Sequence, residues 1–344
     1  MTLAETPTGA SGLAAWCEEV LGERFVSLTR LTGGNSNETH LLETDAGKRV
    51  LRRPPAAAIA PSAHSMAREH RILTALAATD APAPAPLALC EDTAVLGAPF
   101  LVMSFVDGVS ITDRLPSGYE RLAEPARAIG EALIDALAAL HLAPWRSLGL
   151  EDFGRPDGFL ERQVGRWRGQ YERYRVRDLP WFDELAAWLD ASRPAAFEPG
   201  ILHGDFHLDN CLLAREPPAR VLAIVDWEMA TIGDPLLDLG LVLALWGPER
   251  PAAPGFPAIQ AVSRVPDAPR REELAARYAE RTGRSLEALP FYLALALWKL
   301  AAIVEGAYAQ YVAGVVDTPY ARALEHDVPA LLAEAAGFAG LSRG

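Results

Sequence analysis

The sequence predicts an α+β protein in two lobes, a small sheet-bearing lobe followed by a larger, mainly helical one. Three observations lead there. Residues 1–107 hold strand-length apolar runs bounded by turn residues, with one helical stretch among them. From residue 108 to 344 the apolar spacing is mostly helical, interrupted by short strand-like runs. A chain of 344 residues with 50% hydrophobic content is also long enough for two lobes with cores of their own.

Taken in order, SGLAAWCEEVLG reads as a short helix with Ser11 as N-cap and Gly22 beyond its end. Three strands follow in RFVSLTRL, THLLET and KRVLRR, joined by the turn-forming TGGNSNE and DAGK and closed by Pro54-Pro55. Residues 62–79 read as a helix with Ala67, Ile72, Leu73 and Leu76 roughly on one face. The alternating Ala and Pro of DAPAPAPLAL break it and feed a strand, and GAPFLVMSFVDG is a further strand that stops at Asp107-Gly108. The second lobe is expected to hold helices over 123–141, 159–175, 179–190, 272–283 and 289–311. Short strands are expected around Ile201-Leu202, Cys211–Leu213 and Val221–Val225.

Charge and composition narrow the function. A net charge of -13 and a pI near 5.1 argue against nonspecific nucleic-acid binding and against a polybasic membrane patch. The basic residues are nearly all Arg, with Lys48 and Lys299 as the two lysines. Cys17, Cys90 and Cys211 are far apart, so neither a disulfide framework nor a zinc ribbon is expected. No signal peptide is read at MTLAETPTGASG. The apolar stretch FYLALALWKLAAIVEGAYAQY, interrupted by Lys299 and Glu305, reads as a buried helix rather than a membrane span. The expectation is a cytoplasmic protein acting on a small molecule, without nucleic acid or membrane, as a monomer or homodimer.

The chemistry concentrates in HGDFHLDN, residues 203 to 210, and in Asp226 at the end of the apolar run Val221–Val225. Phosphoryl transfer to a hydroxyl needs a positioned proton acceptor and magnesium held by hard oxygens. Asp205 and Asn210, five residues apart, can supply a carboxylate and an amide oxygen from one loop. Asp226, delivered by a strand, can add a second carboxylate. A self-capping polar turn is the plain alternative for such a cluster, weakened by Asp226 and the downstream GDPLLDLG.

HGDFHLDN and IVDWEMATIGDPLLDL resemble the catalytic core of the aminoglycoside phosphotransferase-like family, which shares the protein-kinase-like two-lobed fold. The resemblance covers roughly Leu31 to Tyr311. It implies Asp205 as catalytic base, Asn210 and Asp226 as magnesium ligands, and Asp238 as the anchor of the catalytic-loop backbone. His203 and His207 fall at positions that shape the loop. Asp209 and Asp234 are expected to cap or orient turns. Glu228 follows Trp227 where protein kinases have Gly, and the short interval to Asp238 leaves no room for a long activation segment.

In the first lobe the resemblance implies Gly33, Gly34, Asn35 and Ser36 as the phosphate loop. In KRVLRR, residues 50 and 52 share one face because strand side chains alternate. Val50 would then cover the adenine and Arg52, where many relatives have Lys, would meet the phosphates with Glu69 as its helix partner. Met103 would lie at the back of the pocket, and Ser104, Phe105 and Val106 would present hinge backbone to the adenine edge. The implied cofactors are ATP, with GTP as the alternative, and Mg2+. Residues PSAHSMAREHRIL, FLERQVGRWRGQY and LRRPP resemble the kinase-like domains fused to some acyl-CoA dehydrogenases, which points to a hydroxylated acyl or other small-molecule acceptor. On the basic helix, Arg162, Arg166 and Arg168 are candidates to meet an anionic substrate, against the plain alternative of a salt-bridged surface helix. Two other readings stand beside this one. A nucleotide-binding module without turnover follows from Arg52 and the irregular loop. A metal-dependent phosphohydrolase would use His203, Asp205, His207 and Asp226, but no further His cluster offers a second metal.

Overall fold

The computed structural model describes residues 10–31, 37–55, 65–112, 114–247, 260–266 and 268–342. The chain forms two compact units, residues 1–107 with 222–230 and residues 108–221 with 231–344. The sequence reading placed 222–230 in the second lobe, but they pack with the first. The Ile224 N–H donates to the Pro82 carbonyl, and the Arg68 guanidinium donates to the Ala230 carbonyl.

The first unit opens with helix α1 (Ala10–Trp16), which continues as one π-type turn over Cys17–Leu21. Ser11 lies inside this helix rather than capping it. Strands β1 (Phe25–Arg30), β2 (Glu38–Thr44) and β3 (Gly47–Arg53) are followed by helix α2 (Met66–Leu76). Strand β4 (Pro86–Cys90), the single turn α3 (Thr93–Leu96) and strand β5 (Phe100–Ser104) complete the set. The five strands form one antiparallel sheet in the order β1-β2-β3-β5-β4. Alternation sends Leu42, Leu51, Phe100 and Val102 into a core with Leu13, Cys17, Cys90 and Leu96. Each such Leu or Phe contributes about 1.5–3 kcal/mol by leaving water. Arg52, next to Leu51, therefore faces the other side of the sheet. Ser65 caps α2 by accepting from the Arg68 N–H, which sets Glu69 in the first turn.

The second unit begins with strand β6 (Val109–Ser110) and helices α4 (Pro125–Leu142), α5 (Glu161–Tyr174) and α6 (Phe182–Ala191). Strand β7 (Gly200–Leu202) leads to the HGDFHLDN loop, and β8 (Cys211–Leu213) leaves it. Strand β9 (Val221–Ile224) carries the chain into the first unit, and β10 (Thr231–Gly233) returns it to pair antiparallel with β7. Helices α7 (Leu236–Ala244), α8 (Arg271–Thr282), α9 (Leu289–Val312) and α10 (Pro319–Phe338) follow.

Helix α9 is the axis of this unit. By length and composition alone it could cross a membrane, yet most of its residues from Phe291 to Glu305 are buried against α5, α6, α7 and α10. Its two charges are both accounted for. Glu305 is fully buried and receives both arms of the Arg177 guanidinium at 2.8 Å, and Lys299 belongs to the site below. The approach of α7 is close: a Cβ on Gly240 would stand 2.5 Å from the Tyr292 carbonyl oxygen. The terminal helix α10 was not foreseen from the sequence.

Candidate active site

In the first unit, β3, α2 and the residues after β9 bring three charged groups together. Arg52 Nη1 donates to Glu69 Oε1 at 2.8 Å, and Nη2 donates to Asp226 Oδ1 at 2.9 Å. Arg52 is 7% exposed and Glu69 2%, which sets aside an exposed helical Glu. The planar fork of a guanidinium suits two carboxylates on two sides, which one ammonium would meet less well. Burial pushes the Glu69 carboxyl up, the Arg52 charge pulls it back, and the Asp226 charge adds to the upward push. For Arg52, burial is outweighed by Glu69 and Asp226, and its guanidinium is held more firmly protonated.

Asp226 itself stands in the left-handed region, φ 70 and ψ 64. Such backbone is costly for a non-glycine residue and is found where surrounding contacts enforce it. Here the Trp227 indole N–H donating to the Ile224 carbonyl, and Ile224 itself bonded to Pro82, hold the turn on both sides. The Asp226 side chain keeps 37% of its surface exposed, so the carboxylate bonded to Arg52 also faces outward. Glu228 Oε2 accepts from the Asn37 amide at 3.1 Å.

Val50 is half-buried and pairs with Met103 across the β3–β5 ladder, and Met103 is buried. Ser104 departs from expectation in part. Its N–H donates to the Ala85 carbonyl and its hydroxyl accepts from the Ala85 N–H, so it offers no backbone donor to a nucleobase. Phe105 and Val106 lie beyond the strand and are half-buried, with Lys48 Nζ 5.5 Å from the Phe105 ring centroid. Gly33, Gly34, Asn35 and Ser36 lie outside the described residues.

In the second unit, the loop after β7 is clamped from below. Asp238, in the first turn of α7 and 1% exposed, accepts from the His203 N–H at 2.7 Å and from the Gly204 N–H at 2.9 Å. Gly204 takes φ 86, a turn that a side chain would strain. His141 of α4, fully buried by side chain, stands with Nδ1 2.7 Å from the Tyr278 hydroxyl and Nε2 3.5 Å from Asp238 Oδ2. A Tyr278–His141–Asp238 relay thus orients the carboxylate that orients the loop.

Asp205 emerges from this clamp with its side chain 43% exposed. The Asn210 amide nitrogen donates to the Asp205 carbonyl at 2.9 Å and to its Oδ2 at 3.2 Å, which turns the Asn210 Oδ1 away from this contact. His207 Nε2 lies 3.5 Å from Asp205 Oδ2 and 3.3 Å from the Asn210 amide nitrogen. Burial works against ionisation of Asp205. The His207 hydrogen bond and the charges of His207, Lys299 and His203 outweigh it and hold the carboxyl well below the usual carboxylate range. Asp205 is therefore ionised at neutral pH and can accept a hydroxyl proton. His203 is buried with its ring edge-on to Phe206, a packing position. Asp234 accepts from the Leu236 N–H at 3.1 Å and from the Tyr292 hydroxyl, and so caps the start of α7.

Two residues of this site were missed by sequence reasoning, His141 and Lys299. Lys299 Nζ donates to the Gly204 carbonyl at 2.6 Å and lines a small pocket with Asp205, Leu237, Leu241, Ala296, Leu300 and Ile303. The available signal was one of only two lysines standing inside an apolar helix, where a charge needs a reason. Of the three arginines proposed on α5, two are committed elsewhere. Arg162 binds the carbonyls of Asp157 and Arg155, and Arg168 pairs with Asp183. Arg166 is exposed and lies over the Trp167 ring.

The donors implied for magnesium are the Asn210 amide oxygen in the second unit and the Asp226 carboxylate in the first. Both are hard oxygens, few in number, as suits an ion that keeps waters and substrate phosphates in its shell. Among the described residues no group of three or more His, Cys, Asp or Glu side chains is arranged to hold a metal.

A sheet unit with a buried Arg–Glu pair and a helical unit with a clamped, half-exposed Asp define a phosphotransferase of the protein-kinase-like fold. The chain belongs to the phosphotransferase enzyme family APH, whose profile matches residues 27–295. It is 35% identical over 293 residues to acyl-CoA dehydrogenase family member 11 from Gallus gallus, covering 84% of this chain and 37% of that protein. The chain thus spans just over a third of that relative's length. A crystal structure from Ralstonia eutropha JMP134, provisionally assigned as an aminoglycoside phosphotransferase, shares 31% identity with a TM-score of 0.80, covering 96% of this chain and 98% of its own. Aminoglycoside phosphotransferase APH(4)-Ia, solved as a thermostable mutant with AMP-PNP and hygromycin B, shares the fold at 16% identity and TM-score 0.59, covering 97% and 99% of the two chains.

Proposed function

We propose that the protein transfers the γ-phosphoryl group of ATP to a hydroxyl of a small molecule, in a magnesium-dependent reaction. The observation that carries this reading is Asp205: an ionised, half-exposed carboxylate on a loop whose backbone is fixed by Asp238, at the edge of a small pocket. The acceptor oxygen forms its bond to the γ-phosphorus as the bond from phosphorus to the bridging oxygen breaks, and that electron pair leaves with ADP. The hydroxyl proton passes to Asp205 and from there to solvent. Arg52, held by Glu69, is the cation for the nucleotide phosphates, and Val50 and Met103 are apolar cover for the base. Asn210 and Asp226 each offer a hard oxygen to magnesium, which when bound would neutralise phosphate charge. APH(4)-Ia was crystallised with an ATP analogue, which supports ATP as donor here. The name of the relative acyl-CoA dehydrogenase family member 11 supports an acyl compound as the acceptor's class.

Replacing Asp205 by Asn tests the reading. Loss of a positioned proton acceptor costs about 10²–10⁴-fold in kcat. The affinity for Mg·ATP and the melting temperature should stay near wild type, because the side chain is half-exposed. Turnover within a factor of about two of wild type would remove Asp205 from the chemistry.

A further inference from the structure

We infer that Gln260 is a positioning residue for the transfer: its side-chain amide ties the exit of the HGDFHLDN loop to the C-terminal end of α7 and so holds Asn210 in register with Asp205. The inference rests on the phosphotransfer reading and deepens it.

The two ends of the loop are held by different groups. At its entry, the Asp238 carboxylate takes the His203 and Gly204 N–H groups, and Lys299 donates to the Gly204 carbonyl. At its exit Leu208 is fully buried, so its N–H needs a partner that water does not supply. Gln260 Oε1 accepts from it at 3.2 Å. Gln260 Nε2 donates in the other direction, to the Val242 carbonyl at 3.0 Å. That carbonyl belongs to the last turn of α7, where carbonyls lack partners within the helix. One buried amide thus satisfies a loop donor and a helix acceptor at once, which neither an ionised carboxylate nor a thioether can do. With Asp238 in its first turn and Val242 in its last, α7 is the common base of both clamps.

The backbone at Gln260 is itself held in place. It lies in the left-handed region at φ 51 and ψ 28, a conformation costly for a residue with a side chain. The Ser263 N–H and hydroxyl both donate to the Gln260 carbonyl, at 2.9 and 2.7 Å, and that hydroxyl accepts from the Gly247 N–H at 3.1 Å. Both residues are 0% exposed, so the device is internal to the fold and built without solvent. From Leu208 the constraint reaches the reacting groups in two steps. The single turn Leu208–Asn210 comes first, with the Asn210 N–H donating to the His207 carbonyl and the Asp209 carbonyl accepting from the Ser110 hydroxyl. The Asn210 amide nitrogen then holds Asp205 through its carbonyl and Oδ2. Freeing Leu208 would let this turn shift and carry Asn210 away from Asp205, while the entry clamp stays intact.

The test pairs hydrogen exchange at single-amide resolution with the steady-state rate of ADP formation from Mg·ATP, water being the acceptor, on the full chain. In wild type the Leu208 N–H should be protected like those of His203 and Gly204. Gln260→Met fills the same space without donor or acceptor. It should speed exchange at Leu208 at least about tenfold and leave His203 and Gly204 unchanged. It should also lower kcat about ten- to a hundredfold, with KM for Mg·ATP within about threefold of wild type. Gln260→Asn, one methylene shorter, can keep one of the two bonds and should fall between; it carries the test if the Met variant does not fold. Glu305→Gln weakens the buried pair with Arg177 on another part of α9 and is the stability control. It should lower the melting temperature with kcat within about twofold of wild type. An unprotected Leu208 in wild type, wild-type kcat in the Gln260 variants, or an equal loss of kcat in Glu305→Gln at a matched drop in melting temperature overturns the inference. No ADP formation by wild type, with Leu208 protected as described, would instead sink the phosphotransfer reading.

Discussion

At the scale of single residues, the structure gives a reason for an arginine rather than a lysine at position 52. One guanidinium meets Glu69 and Asp226 through separate nitrogens, a division of labour for which a lysine has only one centre. Arg52→Met would leave Glu69 buried and unpaired. The expected loss is about 3–5 kcal/mol of unfolding free energy in a denaturant titration. Arg52→Lys should lose less and still bind Mg·ATP; equal losses for both variants would show that the fork has no role. The residues that sequence made legible are those in which type and spacing are the chemistry: Asp205, Asn210 and Asp226 form a pattern along the chain. Lys299 and His141 were not legible, because their role comes from partners far away in sequence, Gly204 at 95 residues and Asp238 at 97. Arg168, a candidate for an anionic substrate, is met instead by Asp183 across a helix junction, the salt-bridged alternative.

At the scale of elements, periodicity located most strands and helices, since the alternation of Leu42, Leu51 and Val102 and the apolar stripes of α4 and α9 are local properties, but it missed β6, β10 and α10. It failed where ends are set by neighbours. Ser11 looked like a cap but lies inside α1, and α10, which packs along α9, was not foreseen at all. The contact between α7 and α9 is the most exacting of these. Gly240→Ala would press a methyl group onto the Tyr292 carbonyl, where backbone on both sides resists movement. We expect a loss of about 1–3 kcal/mol, the usual cost of overpacking, seen as a lower melting temperature with the denaturant m-value unchanged. Because Asp238 sits on α7, a shift of that helix should also reduce kcat without altering Mg·ATP affinity. A variant with wild-type stability would mean that the helices separate freely.

At the scale of the whole molecule, the first unit is discontinuous in sequence. Residues 222–230 supply Asp226 to Arg52, the Ile224 N–H to Pro82 and the Ala230 carbonyl to Arg68. A fragment of residues 1–107 is therefore expected to lack a cooperative unfolding transition, whereas adding a peptide of residues 222–230 in trans should restore part of one. A sharp two-state transition in the fragment alone would show that the sheet does not depend on the later segment. The same discontinuity has a consequence during synthesis. When residue 107 leaves the ribosome, the segment that completes its unit is still 115 residues away, counting from 107 to 222. At about 5–20 residues per second that is a wait of roughly 6–23 s. For that interval the buried guanidinium of Arg52 has one carboxylate instead of two, so the first unit is finished only after the loop bearing Asp205 has been made. The order of translation thus delivers the Asp205 loop before the Arg52–Glu69–Asp226 cluster is complete.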